Sequence, residues 1–108
     1  MSNPFSGMTS VKEPEIKLPA FYPDLTNHQK RLVRLKHIEK QKGRCYYCDT
    51  SLSSDPAERI MELDVNPDLF PPNFFDSLIH LHHNHDTGMT IGAVHAHCNA
   101  VLWQYLGE

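Results

Sequence analysis

The sequence predicts a small α+β domain, and three observations predict it. A basic stretch with helical spacing, residues 24–43, runs directly into Cys45-x-x-Cys48. Two strand-like runs, 78–83 and 89–94, flank the turn-forming segment Asn84 to Gly88, so they read as a hairpin. A closing helical run, 96–106, starts right after His95 and carries Cys98. The 108 residues suit one domain. A chain this short buries a modest core, so an internal staple would help it.

Residues 1–23 are polar and aperiodic, with Pro4, Pro14, Pro19 and Pro23. They read as an extended or disordered arm whose end is pinned by Leu18, Phe21 and Tyr22. The domain proper is then 24–108. Its first helix can be capped by Asp24 or Thr26 and stopped by Gly43, with Leu25, Leu32, Leu35 and Ile38 roughly on one face. Residues 49–76 form an acidic insert. Ser53-Ser54-Asp55-Pro56 looks like a helix start, with two turns over 57–63. Pro67, Pro71 and Pro72 then break regular structure, and Phe70, Phe74 and Phe75 can anchor the loop. After the hairpin, Asn99, Leu102, Trp103 and Leu106 share a helix face that should pack on it. The final helix should end near Gly107.

Charge is unevenly placed. The net value is −3, yet seven of the ten basic residues lie between Lys30 and Arg44, and seven of the thirteen acids between Asp49 and Asp76. A basic helix can track phosphates beside an acidic insert, with Lys30, Arg31, Arg34, Lys40 and Arg44 the candidates for nucleic acid. The plainer alternative is a solvated helix face. Three cysteines, an odd number, and no apolar leader argue for a reducing cytoplasm and for thiols used as metal ligands. Nothing in the sequence suggests a membrane span.

Cys45-x2-Cys48 and His95-x2-Cys98 together predict a tetrahedral structural zinc site, because a two-residue gap lets one turn present both donors. His97 competes for the fourth position, but only His95 keeps the two-residue gap. The alternatives are two buried small residues or a redox pair; no thioredoxin-like strand–helix pattern surrounds them. The second concentration is His80, His82, His83 and His85 at the hairpin, facing Asn99 at the start of the last helix. Helix N-termini favour anions such as phosphate. An asparagine oxygen and a hairpin imidazole can share a divalent cation with open positions. Neighbours on a regular strand point to opposite faces, so His82 and His83 can address one phosphate only if the strand bends there.

Cys45-x2-Cys48, His82-His83-Asn84-His85-x-Thr87-Gly88, Gly92 and His95-x2-Cys98-Asn99 together resemble the recombination endonuclease VII branch of the HNH (ββα-metal) nucleases, over about residues 44–106. The resemblance implies a zinc-stapled nuclease core that hydrolyses DNA phosphodiesters with one catalytic divalent ion. By position, His83 corresponds to the general base, His82 to a metal-binding carboxylate, Asn99 to the second ion ligand, and His85 to a histidine near the phosphate. Gly88 and Gly92 correspond to hairpin glycines. His82 stands where the family usually has aspartate, and imidazole moves metal preference from Mg towards Mn, Co, Ni or Zn. His95 stands where cysteine is common. The long C-terminal helices used for junction binding do not follow. Small HNH proteins are frequent in phages, so the resemblance also implies a phage setting and a host-cell cytoplasm. The alternatives are a non-catalytic zinc-stapled DNA-binding module and an adaptor that meets a larger protein partner through 49–76.

Overall fold

The computed structural model describes residues 16–107, so most of the expected arm, residues 1–15, lies outside the described residues. The first helix, α1, spans Asn27–Lys40. Thr26 starts it with a capping box: the Gln29 amide donates to Thr26 Oγ1 (3.1 Å), and the Thr26 amide donates to Gln29 Oε1 (2.9 Å). Only Val33 and His37, four residues apart, are buried, so one narrow stripe holds α1 to the fold and the basic residues occupy the rest.

Lys42 (φ 57°) and Gly43 (φ 75°) turn the chain out of α1 into the cysteine knuckle. There the Cys45 amide donates to Thr50 O and the Asp49 amide to Cys45 O. Leu52 and Ile60 carry the acidic segment into the core. Ile60 belongs to α2, Glu58–Met61, which makes one turn where two were expected. Its successor Asp64 is taken up elsewhere: Gln104 Nε2 (2.9 Å) and the Tyr105 hydroxyl (2.6 Å) both donate to Asp64 O. The Asn66 amide donates to Gln104 Oε1. The insert is therefore stitched along the last helix and is part of the domain.

Strands β1, Ile79–His83, and β2, Thr90–His95, form a two-stranded antiparallel sheet. Register runs from Ile79↔His95 to His82↔Gly92 and then skips to His83↔Thr90, so Ile91 is an extra residue opposite the His82–His83 step. Such a bulge increases local twist. In the connecting turn, Asn84 Oδ1 accepts from the Asp86 and Thr87 amides, and Gly88 adopts φ 78°. Residues 20–22 extend this edge: Ala20 O accepts from the Thr90 amide, Gly88 O accepts from the Tyr22 amide, and the Ala20 amide donates to Thr90 Oγ1. Phe21 bridges Met89. The end of the expected arm is thus fixed on the sheet. A hairpin edge offers unpaired backbone groups, and residues 20–22 take them.

The last helix, α3, is Ala96–Leu106, ended by Gly107 in the left-handed conformation. Its buried side chains are Ala96, Cys98, Ala100, Val101 and Leu102. This corrects the expected contact face. Leu102 is buried, but Trp103 (45% exposed) and Leu106 (58%) are not, because the knuckle and α2 claim the Cys98–Val101 side. The core itself joins Cys45, Cys48, Leu52, Ile60, Ala93, Val94, Cys98 and Val101. Among the described residues, no helix is long and apolar enough to cross a membrane.

Candidate metal centre and histidine cleft

Cys45, Cys48, His95 and Cys98 converge from two places in the chain. Their ligand atoms lie within 4.8 Å of one another, and all four residues are buried. The knuckle turn supplies two thiols; the end of β2 and first turn of α3 supply the rest. His95 presents Nδ1, 3.5 Å from Cys48 Sγ and 3.7 Å from Cys98 Sγ. Its Nε2 lies 3.0 Å from Ser51 O and 2.9 Å from Ser54 O. Carbonyls only accept, so Nε2 carries the proton and Nδ1 keeps its lone pair, the tautomer a metal ligand needs.

The surroundings favour thiolate at Cys45 and Cys48. A hydrogen bond from Cys98 draws the Cys45 thiol down to about 4, against burial and with help from the Cys48, His95 and Tyr47 backbone. Burial pushes Cys48 up, but the Thr50 hydroxyl and the Ala57 and Thr50 backbone outweigh it. The same Cys45–Cys98 hydrogen bond, with burial, raises Cys98. Burial lowers His95, and contacts with Cys45 reverse that, so its net direction is upward. Three thiols crowded in a dry core strain against full ionisation unless a cation compensates them. The buried Cys3His donor set therefore suits a structural metal such as zinc. His97, the competing ligand, lies elsewhere, with Nε2 3.3 Å from Ile60 O.

His80, His82, His83, His85 and Asn99 all line a second site, a cavity of about 500 Å³. Lys30 and Arg34 of α1 close one side. Phe70, Phe74 and Trp103 close another, with Phe70 4.6 Å from Phe74 and 5.5 Å from Trp103 between ring centroids. The stripe Asn99–Trp103 that was expected to pack on the hairpin is a wall of this cavity. His82 is buried at 4% exposure. The bulge at Ile91 falls at the step between His82 and His83, and both border the same space. Burial lowers the pKa of His83, and His85, His82 and Lys30 add to the effect, so its ring is neutral near pH 7.

Tyr22, expected only to pin the arm, and His80, counted in the histidine cluster without a role of its own, are both placed here. Tyr22 stacks on His83, centroids 3.9 Å apart and planes 7° apart, while Lys30 Nζ sits 4.4 Å from the Tyr22 centroid. His80 Nδ1 lies 3.1 Å from Asn99 Nδ2, and Phe74 meets the His80 ring edge-on. Burial holds His80 low, so its neutral Nδ1 accepts from the Asn99 amide group. Alternation along β1 puts His80 and His82 on one face, a signal the sequence does contain. No periodicity leads to Tyr22.

The remaining basic candidates separate. Arg31 is exposed on α1. Lys40 borders a different groove, with His37 and Tyr46. Arg44 Nε donates to Asp49 Oδ1 at 3.0 Å. The basic residues brought to the histidines are Lys30 and Arg34. The chain matches no protein-family model, no curated protein and no solved structure.

Proposed function

We propose that this protein is a metal-dependent DNA endonuclease of the HNH type, in which the Cys3His centre is structural and the histidine cleft hydrolyses phosphodiesters. The observation that carries the reading is one cavity lined by His82, His83, His85 and Asn99 with Lys30 and Arg34. A His83 ring whose pKa burial lowers, next to fixed cations, suits an anionic substrate attacked by water. His83 accepts the proton of the attacking water. Tyr22 fixes the plane of its ring. His85, Arg34 and Lys30 meet the non-bridging oxygens. His80 holds the Asn99 nitrogen, which leaves Oδ1 as the donor to a cation. A divalent ion held by His82 and Asn99 would neutralise charge building on the phosphate and the leaving oxygen. An imidazole–carboxamide pair suits Mn, Ni or Zn better than Mg.

The test is supercoiled plasmid nicking across Mg, Mn, Ni and Zn, with His83→Ala beside the parent protein. Loss of a general base costs roughly 10²–10⁴ in rate. The variant should keep its fold and structural metal and nick that much more slowly; equal rates would remove His83 from the chemistry.

A second reading has its own support. Among the described residues, only the Cys3His centre brings three or more His, Cys, Asp or Glu donors within metal-binding reach. That favours a zinc-stapled DNA-binding or adaptor module without catalysis. DNA binding with a steep salt dependence and no nicking with any of the four metals would establish the binding module; absence of DNA binding would favour the adaptor.

A further inference from the structure

The cleft has a wall that phosphodiester hydrolysis does not use. Phe70, Phe74 and Trp103 form an aromatic cluster, and with Lys30 and Arg34 they border the same 500 Å³ cavity. Trp103 is 45% exposed although it belongs to a helix with buried Leu102 beside it. The insert is held against α3 by the Asp64 and Asn66 contacts to Gln104 and Tyr105, so the wall is built and not a loose loop. Asn73 and Ser77 add polar groups at its rim.

We infer that this wall is a nucleobase subsite, so that the preferred substrate is a strand with unpaired nucleotides. Lys30 and Arg34 attract phosphate while Phe70, Phe74 and Trp103 offer faces and edges to a base. In duplex DNA the base faces are stacked within the helix and cannot reach these rings. A single-stranded, flap or frayed nucleotide can turn its base onto the aromatic side while its phosphate stays on the cationic side. Cations and aromatic surface in one cavity fit that amphipathic ligand better than an apolar peptide, which has no use for the cations. The inference deepens the nuclease reading and rests on it for the word substrate; the base subsite itself stands on the wall.

The sequence has a single tryptophan, Trp103, so its fluorescence reports the subsite alone. The full chain, metal-loaded, is titrated with a short oligothymidylate, with the same strand carrying one abasic position per nucleotide pair, and with a blunt duplex. Quenching should be strong with oligothymidylate and weak with the other two. Anisotropy of a labelled strand then reads the variants. Trp103→Ala should weaken single-strand binding roughly 5- to 150-fold, the range for losing one base–aromatic stack. Phe74→Leu, which keeps apolar volume, guards against a folding defect and should weaken it in the same direction. Equal quenching by duplex and single strand, or unchanged single-strand affinity in both variants, overturns the subsite. Single-strand quenching without nicking of any DNA would instead leave the subsite standing and remove the nuclease reading. Nicking without base-dependent quenching would do the reverse.

Discussion

Removing metal from the Cys3His centre should unfold this domain. Three of the eight residues of its central buried cluster are the ligand thiols Cys45, Cys48 and Cys98, so there is little apolar core independent of the site. The two ligand pairs are also far apart in sequence, 45–48 and 95–98, and join the end of α1 to the start of α3. Structural zinc in small domains contributes about 10–16 kcal/mol of apparent binding free energy near pH 7. Whole domains are stable by only about 5–15 kcal/mol. The loss therefore equals or exceeds everything available to hold the fold. Without the cation the buried thiolates also repel, and His95 and the thiols must share protons instead. The assay is a far-ultraviolet circular dichroism melt with and without strong chelator, with metal release verified by the reactivity of three thiols. The chelated protein should show no cooperative transition. An unchanged melt after all three thiols have become reactive would refute the argument that the centre holds the fold together.

Two further outcomes follow from the packing and the titrating groups. A Cβ at Gly92 would lie 2.8 Å from Gln41 Oε1 and 2.9 Å from Tyr46 Cβ, so Gly92→Ala should destabilise by about 1–3 kcal/mol in a denaturant titration, as overpacking does. His37, His80 and His83 all have pKa values lowered from 6.5, chiefly by burial. The unfolded chain then binds more protons just below pH 6.5, so their contribution to stability is complete above that pH and declines as pH falls towards the lower folded values. Denaturant midpoints measured from pH 7.5 to 5 should fall on the acid side; a midpoint flat or rising there contradicts the burial of these rings. Under the proposed nuclease reading the same direction applies to nicking, which should be lost as His83 becomes protonated.

Much of this arrangement can be read before any coordinates. The x2 spacings single out the four residues that converge on the candidate metal centre, because one turn must present two donors, and His95 over His97 follows from that rule. The hairpin and the last helix are likewise legible from Asn84–Gly88 and from the helical run that Gly107 ends. The contact face of that helix is not. Leu102, Trp103 and Leu106 form a plausible apolar stripe, yet which stripe is buried depends on where the knuckle and the insert lie, and that is tertiary information. Residues 49–76 hide their role for a similar reason. Leu52 is isolated among polar residues, nothing marks Ile60 rather than Met61 or Leu63 as the buried one, and the hydrogen bonds that dock the segment use backbone groups of Asp64 and Asn66, which no side-chain pattern reveals. Tyr22 over His83 depends on a strand pairing of three residues, 20–22, too short to produce a period.

Gln41 has a consequence for how the protein behaves in concentrated solution. Its side-chain amide takes both backbone groups of Ala93: Nε2 donates to Ala93 O (2.9 Å) and Oε1 accepts from the Ala93 amide (2.8 Å), while the Tyr46 amide also reaches Ala93 O (3.0 Å). A glutamine thereby imitates a neighbouring strand at the middle of β2. With residues 20–22 pairing Gly88 and Thr90 along the same border, the outer edge of β2 offers another molecule little template on which to add a strand.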